Sequence, residues 1–122
     1  MTKKVLIVED NKQNMILETD LLEFAKFEVL QAYNAEDGID LAIKEKPDVI
    51  VMDVRLPDMR GTEAVKVIRE NKEVSHIPVV FVTASVMAEG LEEVKATPNS
   101  SYIGKPIDAL TFAKEIEKNI KN

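Results

Sequence analysis

The chain has no cysteine and no tryptophan, and only four glycines among its 122 residues. Without cysteine it can form neither disulfides nor thiolate metal sites, a composition that fits the cytoplasm. No apolar run approaches the ~20 residues that a membrane-spanning helix needs. The opening Met1-Thr2-Lys3-Lys4 leads into a short apolar run without the small-residue cleavage site of a signal peptide. We therefore expect a cytoplasmic protein that has no membrane-spanning segment.

The chain also carries fewer positive than negative charges. Sixteen lysines and arginines stand against 22 acidic residues, a net charge of −6. This balance argues against a nucleic-acid-binding surface, and a solvated acidic surface explains it without any special role. A nucleotide site is disfavoured because there is no glycine-rich loop. No linker, repeat or low-complexity segment divides the sequence, and helical patterns run almost to Asn122. We expect a single domain, residues 1–122, without an output domain.

Five short apolar runs alternate with five helical patterns, which predicts an α/β fold with a parallel sheet. The predicted strands are Lys4–Val8, Glu28–Ala32, Val49–Met52, Val79–Val82 and Ser101–Gly104. The predicted helices are Gln13–Ala25, Ala35–Glu45, Thr62–Asn71, Met87–Ala96 and Ala109–Ile120. Continuous Val/Ile runs indicate strands covered on both faces. The second strand alternates more, which places it at an edge of the sheet.

Polar residues follow the apolar runs at matching places. Glu9-Asp10, Asp53, Thr83 and Lys105 each stand at the end of a predicted strand. Singly, each has an ordinary explanation: a turn pair, a turn cap, a β-branched strand residue and a solvated lysine. In a parallel sheet, however, all would meet at the edge where open α/β sheets bind ligands. Together they indicate a divalent cation held by carboxylates, and a phosphoryl group on Asp53 met by Lys105 and Thr83.

These motifs resemble the receiver domain of bacterial response regulators along the whole chain. The matching motifs are Glu9-Asp10-Asn11, Asp53 with Leu56-Pro57 and Gly61, Thr83-Ala84, and Tyr102 with Lys105-Pro106. The resemblance implies a flavodoxin-like (βα)5 fold, a doubly wound five-stranded parallel sheet with strand order 2-1-3-4-5. The opening residues and His76-Ile77-Pro78-Val79-Val80 look most like the DivK group of single-domain regulators. Receivers attached to hybrid histidine kinases share much of this pattern.

The resemblance also implies a role for each residue of the site. Asp53 is the phosphoacceptor. Asp10, Asp53 and the backbone carbonyl of Arg55 ligate Mg²⁺ directly, and Glu9 acts mostly through water. Lys105 supplies positive charge to the transferring phosphoryl group.

The remaining implied roles concern the switch. Thr83 donates its hydroxyl to a phosphoryl oxygen, with help from the N–H of Ala84. Thr83 and Tyr102 form the conformational switch. The peptide bond between Lys105 and Pro106 is expected to be cis.

The implied function is that of a single-domain response regulator in a two-component phosphorelay. It would be a cytoplasmic phosphoprotein and not an enzyme, although its site carries Mg²⁺-dependent phosphotransfer and autodephosphorylation chemistry. The implied partners are a histidine kinase or histidine phosphotransfer protein, and a downstream target that binds the face formed by the fourth helix, fifth strand and fifth helix. We expect a monomer or weak dimer, with no nucleic-acid partner.

Alternative functions remain. The chain could be the receiver of a hybrid histidine kinase, or a degenerate receiver used only for binding, although every phosphorylation residue is present. A phosphatase of the haloacid dehalogenase type also uses an aspartate after a strand. That class needs a second aspartate two residues later, where this chain has Arg55. Arg55 and Ser85 border the phosphorylation pocket, and they could either shield it from water or point to solvent.

The first helix predicts a docking surface. Its main apolar stripe, Leu17, Leu21 and Phe24 flanked by Ala25, is expected to face the sheet. Met15, Ile16 and Leu22 lie off that stripe. The loop after the last strand, Pro106-Ile107, is also apolar. We predict that Met15, Ile16 and Ile107, with Leu22 and Pro106 beside them, form an exposed rim that docks the helical bundle of the phosphoryl donor.

Two further patterns bear on the second half of the chain. The last helix should bury Leu110, Ala113, Ile116 and Ile120 and begin at an Asp108 N-cap. The fourth helix has a thin apolar stripe of Met87, Leu91 and Val94 with Gly90 inside it, so it should open easily. It is followed by Thr97-Pro98-Asn99-Ser100, where receivers usually have glycine or alanine.

Overall fold

The computed structural model describes residues 2–83 and 91–120. Within them the strands are β1 (Lys4–Val8), β2 (Glu28–Ala32), β3 (Val49–Asp53), β4 (Val79–Thr83) and β5 (Ser100–Gly104). The helices are α1 (Lys12–Phe24), α2 (Ala35–Glu45), α3 (Gly61–Glu70), α4 (Leu91–Ala96) and α5 (Phe112–Lys118). The five parallel strands form one sheet in the order β2-β1-β3-β4-β5. The predicted fold class and strand order are confirmed, and β2 lies at an edge.

The three central strands, β1, β3 and β4, are buried on both faces, because successive residues point to opposite sides and helices cover each side. One face packs against α2, α3 and α4, and the other packs against α1 and α5. The first face buries Leu6, Val8, Ile50, Met52, Val79 and Phe81 with helix residues such as Ala42, Val65 and Val94. The second face buries Val5, Ile7, Val49, Val51, Val80 and Val82 with Met15, Leu22, Phe112 and Ile116. No helix in the described ranges is long and apolar enough to cross a bilayer.

Helix α1 faces the sheet with a different stripe from the predicted one. Its buried residues are Met15, Glu18 and Leu22, a spacing of three and four residues that places them on one face. Phe24 is 87% exposed and Leu17 is 43% exposed, so the predicted stripe is wrong for these two residues. Leu21 and Ala25 are partly buried and pack against the core, as predicted. The helix carries apolar residues on more than one side, and the glutamate inside the buried stripe makes that stripe look polar.

Helix α5 begins later than predicted. It starts at Phe112, and its buried residues are Phe112 and Ile116. Leu110 is 88% exposed, because it lies in the turn before the helix. Asp108 accepts the N–H of Leu110 at 2.9 Å in that turn, so it orders the approach to α5 and is not the cap of the helix.

The predicted fourth helix lies partly outside the described residues. Met87 and Gly90 belong to the segment 84–90, and the described helix α4 begins at Leu91. Val94 of α4 is fully buried against the sheet, as the apolar pattern predicted.

Arg69, in the last turn of α3, fixes the entrances of two strands. Its guanidinium donates to the carbonyl oxygens of Ser75 and Ile77 before β4, and of Pro98 and Asn99 before β5. Asn99 adopts a left-handed backbone with φ 53°, a conformation that asparagine tolerates better than most residues. Its side-chain amide donates to the carbonyl of His76 at 2.9 Å. These hydrogen bonds give a defined shape to the turn between α4 and β5, where the sequence has Thr97-Pro98-Asn99-Ser100 in place of glycine or alanine.

Replacing Arg69 by methionine should therefore destabilise the protein. The side chain keeps most of its apolar length, but four carbonyl groups lose a charged donor, so we expect a loss of about 3 kcal/mol in the free energy of unfolding. Urea denaturation measures it. Lys66→Met is the matched control, because Lys66 is an exposed cation on the same helix. Equal effects of the two substitutions would show that the Arg69 bonds contribute little.

Candidate functional site

The carboxyl ends of the strands bring the predicted polar residues to one edge of the sheet. Glu9 and Asp10 follow β1, Asp53 ends β3 and Thr83 ends β4. Carboxylate oxygens of Glu9, Asp10 and Asp53 all lie within 4.8 Å of one another. Glu9 and Asp53 are buried, whereas Asp10 is exposed. The order of strands in the sheet, in which β1 and β3 are neighbours, places these acids side by side.

Lys105 connects the acidic residues. It follows β5, and its backbone N–H donates to the carbonyl of Thr83 at 2.7 Å. Its ammonium lies 3.0 Å from Glu9 Oε1 and 3.4 Å from Asp53 Oδ2. The following peptide bond, to Pro106, is cis. One cation therefore bridges the ends of β1 and β3 from the far side of β4.

Crowding shifts the proton affinities of these groups. Burial, and then the charge of Glu9, raise the pKa of Asp53 to about 7. Burial also acts to raise the pKa of Glu9, but hydrogen bonds from Lys105 and from the Asn11 N–H at 3.1 Å outweigh it and leave that pKa below its usual value. Burial acts to lower the pKa of Lys105, and its bonds and charge interactions with Glu9 and Asp53 reverse the shift and raise it. The charged form of Asp53 is therefore less favoured than that of an ordinary aspartate, whereas Glu9 and Lys105 are held in their charged forms.

The loop after Asp53 is held by backbone contacts. The N–H of Arg55 donates to Asp53 Oδ1 at 3.3 Å, and the N–H of Gly61 donates to the carbonyl of Val54 at 2.8 Å. A Cβ atom on Gly61 would collide with the carbonyl oxygen of Asp53, so only glycine fits there. The Asp58 carboxylate accepts backbone N–H groups from the first turn of α2 at 2.8 and 2.9 Å. The position of Asp53 is thus fixed from several directions.

The other predicted site residues have different surroundings. Thr83 is buried at the end of β4, and Tyr102 is 40% exposed on the neighbouring strand β5. Ala84 and Ser85 lie outside the described residues.

The predicted docking surface needs a correction. Met15 and Leu22 are fully buried against the sheet, so the prediction that they form part of an exposed rim is wrong. Ile16 is 60% exposed. Pro106 is exposed and Ile107 is half-buried, packed at the margin of the core. These three residues are the part of the predicted rim that lies at the surface.

Glu18 is a site residue that the sequence did not reveal. It is only 2% exposed, and burial, followed by the charge of Glu9, raises its pKa to about 8. Lys105 and Asp53 also act on its charge. Glu18 lines a groove of about 360 Å³ together with Asn14, Leu17, Lys105, Pro106 and Ile107. Its only signal in the sequence is its spacing from Met15 and Leu22, and that signal requires knowing which stripe of α1 is buried.

The acidic cluster fits a hard divalent cation. Three carboxyl groups offer oxygen ligands from two adjacent strand ends, and Mg²⁺ prefers a few such oxygens together with retained water. Burial and then the charge of Glu9 raise the pKa of Asp53, so its charged form is disfavoured in the absence of a further cation. A bound cation would favour the charged form.

Comparison with known proteins identifies the family. The model of the response regulator receiver domain matches residues 5–117. The chain belongs to this family.

Relatives and solved structures agree with this assignment. The receiver is 39% identical over 117 residues to the polar-differentiation response regulator DivK of Brucella ovis, covering 96% of this chain and 95% of the relative. It is equally similar to DivK of Brucella melitensis. Chemotaxis protein CheY4 of Vibrio cholerae superposes with a TM-score of 0.91 at 28% identity, covering 98% of this chain and all of the other. The predicted resemblance to DivK-type and CheY-like receivers is confirmed.

A further structure shares the fold at lower identity. The receiver domain of sensor histidine kinase PA1611 from Pseudomonas aeruginosa has a TM-score of 0.89 at 24% identity, over 97% of both chains. The crystal structure of that protein has a magnesium ion coordinated in its active-site cleft.

The acidic site should make stability depend on pH when no cation is bound. Asp53 and Glu18 have folded-state pKa values of about 7 and about 8, above their ordinary values of 3.8 and 4.5. The stability they contribute is thus full below pH 4 and is lost as the pH rises through 7 to 8. Asp53→Asn should raise the free energy of unfolding by about 1 kcal/mol at pH 8 in chelator and by less at pH 5.

Thermal and urea unfolding at the two pH values measure this difference. Asp20→Asn serves as the control, since Asp20 is exposed on α1. A gain for Asp53→Asn that is the same at pH 5 and pH 8 would contradict the expected titration.

Proposed function

We propose that this receiver accepts a phosphoryl group on Asp53 from the phosphohistidine of a histidine kinase or phosphotransfer protein and then signals through protein contacts. The observation that carries the proposal is the Lys105 ammonium, 3.4 Å from Asp53 and 3.0 Å from Glu9. A carboxylate nucleophile beside a fixed cation, at the open edge of the sheet, suits phosphoryl transfer better than structural packing. DivK-type relatives support a signalling role over an enzymatic one.

The transfer is a simple exchange of bonds. A carboxylate oxygen of Asp53 attacks the phosphorus atom, the phosphorus–nitrogen bond to the donor histidine breaks, and an acyl phosphate forms. Negative charge spreads over the phosphoryl oxygens during this step, so positioning and positive charge account for most of the catalysis. In this proposal Lys105 would meet one of those oxygens, and the Thr83 hydroxyl would meet another. Attack by water on the acyl phosphate would later reverse the signal.

Mg²⁺ is the cofactor that the cluster fits. Asp10 and Asp53 would hold it directly, with the Arg55 carbonyl, and Glu9 would act mostly through water. When bound, the ion neutralises charge on the carboxylates and on the phosphoryl oxygens. Within the protein itself, Glu9 orients Lys105 and the Arg55 N–H orients Asp53.

Labelling tests the proposed chemistry. The protein should gain one phosphoryl group from a small acyl phosphate when Mg²⁺ is present and should gain essentially none in chelator. Intact-mass measurement detects the product. Asp53→Asn should abolish labelling, whereas Asp20→Asn should label like the wild type because it changes only an exposed carboxylate. Labelling of Asp53→Asn at the wild-type rate would refute the assignment.

We propose that phosphorylation is relayed through Thr83 and Tyr102 to the face formed by α4, β5 and α5, where a downstream target binds. Thr83 lies opposite Gly104 in the β4–β5 pair, two residues beyond the pair of Phe81 and Tyr102. A shift of Thr83 toward the phosphoryl group would open space beside β5, into which Tyr102 could turn. On α4, Glu93 accepts a hydrogen bond from the hydroxyl of Thr62 at 3.0 Å, a contact that connects α4 to α3. Unchanged Tyr102 ring resonances after phosphorylation would argue against the relay.

Two separate surfaces remain of the predicted rim, Ile16 on α1 and Pro106-Ile107 after β5, and both are proposed to receive the phosphoryl donor. The exposed Leu17 lines the groove with Pro106 and Ile107. Helix α1 begins just after the acidic pair, with Asn11 capping it by accepting the N–H of Asn14 at 2.9 Å. Ile16 therefore lies near the site end of the helix. Pro106 and Ile107 follow Lys105 directly. Apolar side chains form the buried core of protein interfaces, and the polar groups around them form the rim.

Substituting Ile16 separates docking from chemistry. Ile16→Lys should slow transfer from the phosphohistidine protein that phosphorylates the wild type by about tenfold or more, since an interface anchor is lost. It should leave labelling by a small acyl phosphate unchanged. Phe24→Lys is the control, because Phe24 is also exposed but lies at the opposite end of α1. Equal slowing by both lysines with the protein donor would place the donor elsewhere.

A further inference from the structure

Helix α2 has two caps at its amino end. The first is local, since the side chain of Asn34 accepts the N–H of Asp37 at 2.8 Å. The second comes from another part of the chain. The N–H groups of Ala35 and Glu36 donate to the two carboxylate oxygens of Asp58 at 2.8 and 2.9 Å, across 23 and 22 positions of sequence. Both kinds of contact satisfy backbone donors that the first turn of a helix leaves free.

The helix itself does not require the second cap. Asn34 already caps it, and Glu36 and Asp37 place negative charge in its first turn, where negative charge complements the helix dipole. The carboxylate of Asp58 beside these two adds repulsion between like charges. The contact is therefore better explained by what it does for the loop that carries Asp58.

That loop connects β3 to α3 and begins directly after the proposed phosphoacceptor. At its base the N–H of Gly61 donates to the carbonyl of Val54 at 2.8 Å, and Arg55 pairs with Arg60 in an antiparallel bridge. Asp58 lies between these paired ends, at the tip of the loop. Backbone contacts thus fix the base of the loop, and two charge-assisted hydrogen bonds, which are stronger than neutral ones, fix its tip to α2.

The segment that Asp58 binds also contacts the other half of the acidic site. Ala32, at the end of β2 and three residues before Ala35, accepts the backbone N–H of Glu9 at 3.0 Å. The start of α2 therefore contacts both the residues that follow β1 and the loop that follows β3. Asp58 completes a path of contacts from the Glu9 backbone, through the start of α2, to the loop after Asp53.

We propose that Asp58 is a positioning residue that sets the Mg²⁺ affinity of the acidic site by fixing the loop after Asp53. The inference rests on the proposed function, because it concerns the same site. The carbonyl of Arg55, one of the proposed ligands, belongs to this loop. Mg²⁺ demands nearly ideal octahedral geometry, so a loop that is free at its tip must become ordered when the ion binds, and this ordering lowers the affinity. Asp58 acts through the loop and not through a contact with the ion.

Substitutions of Asp58 test the proposal against two matched controls. Asp58→Ala removes both hydrogen bonds, and Asp58→Asn keeps one acceptor oxygen. Asp48→Ala removes a bond of the same kind, to the N–H of Lys4 at 2.8 Å, at the opposite end of β3. Asn34→Ala removes the local cap of α2 and leaves the Asp58 carboxylate in place. The measurements are Mg²⁺ affinity by calorimetric titration, thermal unfolding in chelator, and the rate of labelling by a small acyl phosphate at limiting and at saturating Mg²⁺.

The proposal expects affinity and stability to separate. Asp58→Ala should bind Mg²⁺ about tenfold less tightly, as removal of a group that orients metal ligands typically does, and Asp58→Asn should lie between it and the wild type. Labelling of Asp58→Ala should be slow at limiting Mg²⁺ and return to nearly the wild-type rate at saturating Mg²⁺, because Asp53 and Lys105 are unchanged. Asp48→Ala and Asn34→Ala should melt at a lower temperature in chelator, as Asp58→Ala does, yet keep the wild-type affinity.

Other outcomes overturn the proposal. Wild-type Mg²⁺ affinity in folded Asp58→Ala would do so, and so would an equal loss of affinity in Asp48→Ala or Asn34→Ala, since the effect would then follow from stability alone. Labelling of Asp58→Ala that stays slow at saturating Mg²⁺ would also contradict it. If Asp58→Ala does not fold, wild-type affinity in Asp58→Asn overturns it. Failure of the proposed function is distinct, because the wild-type protein itself would then remain unlabelled in Mg²⁺.

Discussion

Lys105 carries a single positive charge between two buried carboxyl groups, and their separation depends on the rest of the fold. Its ammonium is 3.0 Å from Glu9 and 3.4 Å from Asp53, residues that lie 96 and 52 positions away in the sequence. Attraction at this distance in a partly buried site is strong only while all three strand ends keep their register. A shift of one residue in β5 would turn Lys105 to the other side of the sheet. The geometry of the site therefore depends on the register of the strands.

Contacts outside the cluster of Glu9, Asp53 and Lys105 keep the strands in register. The two-sided core fixes each strand from above and below, and Arg69 holds the entrances of β4 and β5 through four carbonyl bonds. At the opposite edge, Asp58 connects the loop after Asp53 to α2, and the absence of a side chain at Gly61 lets α3 approach the Asp53 backbone. These contacts therefore stabilise the fold and also keep the residues of the phosphorylation site in place.

The fold was predictable because its signals are local and repeated. Runs such as Val49–Met52 are too apolar for a surface strand, and the order of polar residues after them matches the strand ends. The contacts of Arg69 and Asp58 were not predictable, since both join segments that are distant in sequence and neither has a distinctive motif. The orientation of α1 was predicted wrongly for a physical reason. Periodicity ranks faces by hydrophobicity, and here an exposed face that includes Leu17 and Phe24 is more apolar than the buried one.

That error and Glu18 have the same origin. Natural sequences depart from the expected pattern chiefly where function requires it, and the polar residue in the buried stripe of α1 lines the groove beside Lys105. The exposed apolar residue Ile16 departs from the pattern on the opposite side of the same helix. Both departures belong to the half of α1 next to the acidic pair. The first helix therefore has a packing face that includes a buried carboxyl group and exposed apolar residues on its other sides, and a simple amphipathic repeat describes neither feature.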